Sequence, residues 1–166
     1  MTAVKLRDRF LSVGLRDIPL IAAVAAKSGL TGRACGVDAD DARVAAAGEA
    51  IEREGALVEV TRAPFDMWPY GESSFDIALI AHLLPSLTPD VRASCVREVL
   101  RVLRPGGRAV VIEPAARGGF GALIAGRGSV PTYEGPVKAL QHAGFAAVRQ
   151  LAETNGVSYV EGIRKT

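Results

Sequence analysis

The sequence has few of the residues that define several large classes of protein. It contains two cysteines and two histidines, and Cys35 and Cys95 lie far apart with no metal-ligand spacing around them. This pattern argues against a disulfide scaffold and predicts no metal site, and it is typical of a reduced, cytoplasmic protein. The formal net charge is only +2, so we expect no nucleic-acid partner.

Long apolar runs are also missing. Residues 18–26 form an apolar run that ends at Lys27, and a membrane-spanning helix needs about 18 such residues. We therefore predict no transmembrane segment, and the absence of a small-residue cleavage signature argues against a signal peptide. A chain of 166 residues has the length of one domain, so we expect residues 1–166 to form a single domain.

The sequence does contain a regular alternation of strand and helix patterns, which favours an α/β fold with a doubly wound, mostly parallel sheet between two helical layers. Helices are predicted to begin near Asp17, Asp40, Thr88 and Pro136. The last two strands are separated by only a short turn, so they must pair antiparallel. Apolar runs predict seven strands, at residues 9–14, 33–37, 57–60, 75–81, 109–113, 145–151 and 157–163.

The most informative segment is residues 100–112, which predict a helix end, a turn at Pro105, Gly106 and Gly107, and a strand covered on both faces. Together with residues 74–80, this segment resembles the class I S-adenosylmethionine (SAM) dependent methyltransferases, in their small-molecule, ubiquinone/menaquinone-type branch. The resemblance covers nearly the whole chain. It implies a Rossmann-like seven-stranded sheet with the last strand antiparallel, SAM as the cofactor, and a small-molecule methyl acceptor.

The resemblance also implies positions for cofactor-binding residues. Asp38, followed by Ala39, matches the acidic residue that binds the ribose hydroxyls of SAM in the family; alternatively, Asp38 caps the next helix. Phe65 would flank the adenine ring, although a loop-anchoring core role is the alternative. Pro64 occupies the place of the family's adenine-binding acid, and Asp66 would substitute for it.

The loop after the first strand departs from the family pattern. Of three glycines that let the backbone approach the cofactor, only Gly14 remains, because Arg16 and Ile18 occupy the other two places. Ser12 replaces the acidic residue of this motif. A hydrogen bond to a charged group contributes about 1.5–3 kcal/mol, so these changes predict weakened SAM binding. They support the alternative hypothesis of a catalytically inactive methyltransferase-like domain that serves as a binding or structural subunit.

On the acceptor side, His82 follows the fourth strand and is the best candidate for a catalytic base; alternatively, it bonds to the backbone at the strand end. Tyr70 and Glu113 are weaker candidates near the same rim. Only about eight residues precede the first strand, whereas related enzymes usually have N-terminal helices over this site. We therefore expect an uncapped sheet rim that a protein partner could cover, unless the glycine-rich residues 114–135 form a flap.

Overall fold

The computed structural model describes residues 7–28, 32–115 and 133–166. Within these ranges, the strands are β1 (Arg9–Val13), β2 (Arg33–Asp38), β3 (Glu59–Arg62), β4 (Phe75–Ala81), β5 (Leu103–Pro114), β6 (Ala146–Thr154) and β7 (Val157–Ile163). The helices are α1 (Ile18–Ser28), α2 (Asp41–Arg53), α3 (Pro89–Val102) and α4 (Pro136–Ala143), and a short 3-10 helix spans Leu84–Ser86. None of the helices in these ranges has the length and apolar character needed to cross a membrane. Most of the predicted loop at 114–135 lies outside the described residues.

The strands form one sheet in the order β3-β2-β1-β4-β5-β7-β6. Neighbouring strands from β3 to β5 pair in parallel, and β7 runs antiparallel to both β5 and β6. The predicted fold class is therefore confirmed. The reversed strand β7 lies inside the sheet, and β6 is at the edge. The tight turn between them has positive φ angles at Asn155 (53°) and Gly156 (73°), as hairpin turns of this length favour.

The sheet has a hydrophobic core on each face. On one face, Leu11, Ala78 and Ile80 pack in a cluster that includes buried residues of α3 and α4. On the other face, Phe10 and Leu79 belong to a cluster with α1 and α2. Burial on both faces explains why the central strands have continuous apolar sequences rather than an alternating pattern. Two of the buried polar side chains, Asp38 and Glu113, lie at the carboxyl ends of β2 and β5.

The prediction of a separate Pro-Gly-Gly turn was wrong. Helix α3 ends at Val102 and β5 begins at Leu103, so Pro105, Gly106 and Gly107 lie within β5. The pairing with β4 is irregular in this region, which indicates a bulge. A Cβ atom on Gly107 would lie 2.7 Å from the Arg104 carbonyl oxygen, so the bulge requires glycine there. Strand β3 also begins two residues later than predicted, at Glu59.

Candidate active site

The carboxyl edge of the sheet brings together the loops that follow β1, β2, β3 and β4. Strand β1 lies between β2 and β4, so successive connections leave it in opposite directions. Such a switch point opens a crevice in which α/β proteins bind ligands. As the sequence predicts, Gly14 follows β1, Asp38 is the last residue of β2, and His82 follows β4.

Gly14 closes the turn at the end of β1. Its φ angle is +81°, and its backbone N–H donates to the Val37 carbonyl oxygen at 2.8 Å. A Cβ atom here would lie 3.3 Å from Leu83 Cδ2. The backbone conformation and the packing of Leu83 therefore both favour glycine at this position.

Asp38 presents its carboxylate at the end of β2 and is only 3% exposed. Its Oδ2 accepts a hydrogen bond from the Leu15 backbone N–H at 3.0 Å, and its Oδ1 accepts one from the Asp40 backbone N–H at 3.0 Å. The alternative capping role falls to another residue, because the Asp40 side chain accepts from the Arg43 N–H at the start of α2. Asp38 instead ties the β1 loop to the β2 loop.

Arg43 is a neighbour of Asp38 that the sequence analysis missed. Its Nε lies 3.3 Å from Asp38 Oδ2, but within the described part of the chain this buried Nε has no hydrogen-bond partner. The sequence contains a partial signal for this contact, because Arg43 lies only five residues after Asp38, in the first turn of α2. The charge of Arg43 and the buried carboxylate thus form an ion pair at the floor of the crevice.

The loop after β3 carries the two other predicted cofactor-binding side chains. Phe65 is half-buried and packs against the core of the α3 and α4 face, whereas Asp66 is exposed. Trp68 is 4% exposed, and its backbone N–H donates to Glu98 Oε1 at 2.9 Å. Glu98 also pairs with Arg101. This buried contact fixes the loop relative to α3.

The loops after β1 and β4 are joined across the crevice. Arg16 donates from its Nη2 to Ser86 Oγ at 3.0 Å, and its side chain is exposed. Ser12 is 1% exposed, and its hydroxyl bonds to the Gly14 carbonyl oxygen at 3.2 Å. The resemblance implies an acidic residue at the position of Ser12. The structure instead has the Ser12 hydroxyl, hydrogen-bonded within its own turn, and the guanidinium of Arg16 in the same loop.

His82 directly follows β4, and Glu113 is the penultimate residue of the neighbouring strand β5. His82 is half-buried, has a positive φ of 53° and donates its backbone N–H to the Ile112 carbonyl oxygen at 2.8 Å. Glu113 is 1% exposed and accepts a hydrogen bond from the Tyr133 hydroxyl at 2.5 Å. Burial raises the pKa of Glu113 to about 7, although Tyr133, the Leu84 backbone amide and the Arg92 charge each act to lower it.

The two thiols do not contribute a nucleophile to this edge. Cys35 and Cys95 are free and buried, and burial raises the pKa of Cys35 to about 11 and that of Cys95 to about 12. Thiolate is the reactive form of cysteine, so both side chains serve the core. Among the described residues, no group of three His, Cys, Asp or Glu side chains is placed to hold a metal ion.

The end of β2 has the chemistry needed to bind an adenosyl group. A carboxylate has about four hydrogen-bond acceptor positions, and backbone N–H groups fill two of those of Asp38. The buried Nε of Arg43 is a donor without an acceptor in the described part of the chain. Two adjacent ribose hydroxyls, which both donate and accept, would satisfy these groups. The residues therefore fit the ribose of SAM.

Comparison with solved structures shows the same fold in other proteins. A SAM-dependent methyltransferase from Aquifex aeolicus superposes with a TM-score of 0.77 at 19% identity, over 98% of this chain and 85% of that one. The [4+2]-cyclase SpnF gives a TM-score of 0.76 at 18% identity, over 99% of this chain and 77% of that one. PigF, solved with SAH, gives 0.72 at 16% identity over 93% of this chain and 50% of that one.

A family model described as a methyltransferase domain matches residues 18–111. The match begins after β1 and its loop, includes Asp38 and ends within β5. No curated protein sequence matches the chain. Because the family model covers more than half of the sequence and the seven-stranded sheet agrees with it, this chain belongs to the methyltransferase domain family, whose cofactor is S-adenosylmethionine.

Proposed function

We propose that the chain binds SAM at the carboxyl ends of β1, β2 and β3 and transfers its methyl group to a small molecule. The observation that carries the proposal is the buried carboxylate of Asp38, which retains unused acceptor positions at the switch point. Membership of the methyltransferase domain family supports it. The small-molecule branch that includes quinone methyltransferases supplies the acceptor class, as the sequence resemblance implies.

In this proposal, each side of the crevice binds one part of the cofactor. Asp38 holds the ribose hydroxyls, and the Gly14 turn lets the backbone pass close to the cofactor. Ala39 and Phe65 lie on either side of the adenine ring, and Asp66, which is exposed, accepts from its amino group. When bound, SAM supplies a methyl group on a positively charged sulfur.

The chain's own residues align the acceptor and handle its proton. His82 is the proposed base, since it directly follows β4 and lies beside the end of β5. Methyl transfer needs the donor and acceptor held in line, and a base assists when the acceptor must lose a proton. The imidazole of His82 would take that proton at a ring nitrogen.

The test is calorimetric titration of the folded protein with S-adenosylhomocysteine, the demethylated product of SAM. We expect binding in the micromolar range and a loss of at least about tenfold in the Asp38→Asn variant, because losing a hydrogen bond to a charged group costs about 1.5–3 kcal/mol. The amide is close in size to the carboxylate but keeps only one of the two oxygens that accept from the Leu15 and Asp40 N–H groups, so the free energy of unfolding of the variant is measured beside its affinity.

Asp41→Asn is the matched control for this titration. Asp41 begins α2 near Asp38, but its side chain is 80% exposed and pairs with Arg62 at 3.2 Å. We expect its affinity for S-adenosylhomocysteine to equal that of the wild type. Equal affinities for Asp38→Asn and the wild type would show that Asp38 does not hold the ribose.

The ion pair with Arg43 leads to a second expectation. Arg43 Nε lies 3.3 Å from Asp38 Oδ2 and is the buried donor that a ribose hydroxyl would satisfy. Arg43→Ala is therefore expected to weaken S-adenosylhomocysteine binding by about three- to tenfold, in line with the roughly 1 kcal/mol of a partly exposed polar contact. The same titration measures the change, and a strengthened affinity would mean that Arg43 instead competes with the ligand for Asp38.

A second candidate function is that of a catalytically inactive methyltransferase-like subunit that binds a protein partner at the carboxyl edge. The contact that favours it is the hydrogen bond between Arg16 and Ser86, which joins the β1 and β4 loops across the crevice. A folded sample that gives no heat with millimolar S-adenosylhomocysteine would support this function. Light scattering that then finds only a monomer in native extract would count against it.

A further inference from the structure

A second cavity lies on the opposite half of the carboxyl edge from Asp38. It has a volume of about 670 Å³, and its lining includes Pro85, Glu113, Tyr133 and Ser158. Strands β2 and β5 are separated by β1 and β4, which places them about 14 Å apart. The cavity is therefore distinct from the proposed adenosyl site, and its volume falls within the range of small-molecule pockets.

Glu113 provides a buried polar atom at this cavity that has no partner. The residue is 1% exposed, and its Oε1 makes no hydrogen bond within the described ranges. Leaving such an acceptor unpaired is costly. A donor on a molecule in the cavity would remove that cost, because Glu113 lines the cavity and the last side-chain torsion of glutamate has a broad range.

The neighbours of Glu113 hold its other oxygen. The Tyr133 hydroxyl donates to Oε2, and the Arg92 guanidinium lies 4.4 Å from the centre of the Tyr133 ring. Arg92 is itself fixed by hydrogen bonds to the carbonyl oxygens of Leu84 and Leu87, at 2.8 and 2.7 Å. The phenol donates to Oε2, and the nearby Leu84 backbone amide, which acts to lower the pKa of Glu113, forms no hydrogen bond with Oε1. Oε1 is therefore the oxygen left for a ligand.

The charges of the lining indicate which donor fits. Besides Glu113, the lining residues include Glu134 and Glu153, and none of those within the described ranges is a lysine or arginine. Pro85, Pro136 and Val160 supply apolar surface in the same cavity. An anion would meet three carboxyl groups and a nearby cation, Arg92, which is already held against Tyr133 and by the Leu84 and Leu87 carbonyl oxygens. An ammonium group with a carbon skeleton would match both the charge of the lining and its apolar walls.

We infer that this cavity binds a small organic amine, whose ammonium group donates a hydrogen bond to Glu113 Oε1 while its carbon skeleton lies against Pro85, Pro136 and Val160. The inference rests on the proposed function, because it identifies an amine as the class of methyl acceptor. It assigns Glu113 to acceptor binding and leaves His82 as the proposed base, which would take one proton from the ammonium so that the nitrogen lone pair could accept the methyl group, with S-adenosylhomocysteine as the leaving group.

The test compares three probes of similar shape and different charge: benzylamine, benzyl alcohol and benzoate. Binding to the wild type is measured by chemical-shift changes in two-dimensional NMR spectra, in the absence of any cofactor. We expect benzylamine to bind most tightly, with shifts at Glu113 and Ser158, and benzoate to bind at least tenfold more weakly. Equal affinities for all three probes would overturn the inference.

Two variants locate the effect. Glu113→Gln removes the charge and is expected to weaken benzylamine binding at least tenfold, whereas Glu52→Gln, an exposed carboxylate on α2, is expected to change nothing. Benzylamine affinity of the wild type should also rise as the pH increases from 6 to 8, as Glu113 loses its proton beside Tyr133 and Arg92. Loss of binding in both variants, or a flat pH dependence, would contradict the assignment.

The proposals of an amine site and of an adenosyl site can be tested independently. Glu113→Gln should bind S-adenosylhomocysteine as the wild type does, and Asp38→Asn should bind benzylamine as the wild type does. Binding of benzylamine without S-adenosylhomocysteine binding would overturn the proposed methyltransferase function and keep the amine site. The converse result would overturn the amine site alone.

Discussion

Replacing Glu113 by glutamine is expected to raise the free energy of unfolding above that of the wild type at pH 8. This gain should be roughly 2–3 kcal/mol larger at pH 8 than at pH 5. The carboxyl group has a pKa of about 7 in the folded chain, raised first by burial, and an ordinary, lower pKa when unfolded. Between these values the folded state holds the proton more tightly than the unfolded state. Stability therefore falls as the pH rises through this window, and glutamine does not titrate.

Chemical denaturation of both proteins at pH 5 and pH 8 measures this difference. Any constant effect of the amide, such as a change in its hydrogen bond with Tyr133, cancels when the two pH values are compared. Glu52→Gln serves as the control, since Glu52 is exposed, and we expect no pH-dependent difference from the wild type. If the advantage of Glu113→Gln were the same at both pH values, Glu113 would be ionised in the folded protein without the cost of burial.

This cost bears on the role of Glu113. A buried carboxyl that destabilises the folded chain at neutral pH is hard to explain by packing, because a neutral side chain of the same size would fill the space. Groups whose pKa is strongly perturbed are concentrated at functional sites. The expected destabilisation is therefore consistent with a binding role at the 670 Å³ cavity, and the probe titrations test that role directly.

The fold could be predicted from the sequence because several independent local signals agree. The continuous apolar sequence at 109–112 predicted a strand covered on both faces, and the burial of this part of β5 confirms it. Asp17 and Asp40 were predicted near helix starts, and their side chains accept from the Leu20 and Arg43 N–H groups. The bulge in β5 was missed, because proline and two glycines are equally typical of a turn.

The candidate site was predictable only in part. The position of Asp38 follows from its place at a strand end, which the sequence pattern gives. The ion pair with Arg43 and the hydrogen bond from Tyr133 to Glu113 depend on how α2 and the segment before α4 pack on the sheet. These contacts join residues that the sequence does not place together. The binding roles of Gly14, Ala39, Phe65, Asp66 and His82 remain predictions.

The buried carboxylate of Glu98 leads to a second large effect, on the loop after β3. Glu98 is 9% exposed; its Oε1 accepts from the Trp68 backbone N–H at 2.9 Å and from Arg101 at 2.6 Å. Arg101 in turn donates to the Tyr70 carbonyl oxygen at 2.8 Å. Hydrogen bonding to Arg101 lowers the pKa of Glu98, so the group is charged at neutral pH. The Glu98–Arg101 pair thus connects α3 to the middle of the loop, at Trp68 and Tyr70.

Glu98→Ala is expected to lower the free energy of unfolding by about 2–3 kcal/mol, because it leaves the buried Trp68 N–H and the Arg101 guanidinium without their acceptor. Glu72→Ala is the control: Glu72 is 66% exposed in its ion pair with Arg164, so we expect a loss below about 1 kcal/mol. Urea denaturation at pH 7 measures both. Equal losses in the two variants would show that the buried contact adds nothing beyond a surface ion pair.

The same substitution tests whether the loop matters for the cofactor. Phe65 and Asp66 precede Trp68 by only a few residues, so releasing Trp68 should loosen the proposed adenine-binding side chains and weaken S-adenosylhomocysteine binding several-fold. Glu98→Gln keeps an oxygen for the Trp68 N–H and should recover most of that affinity while still losing the charge pair with Arg101. If Glu98→Ala is destabilised but binds S-adenosylhomocysteine like the wild type, this loop does not contribute to the cofactor site, and Asp38 binds the ribose without it.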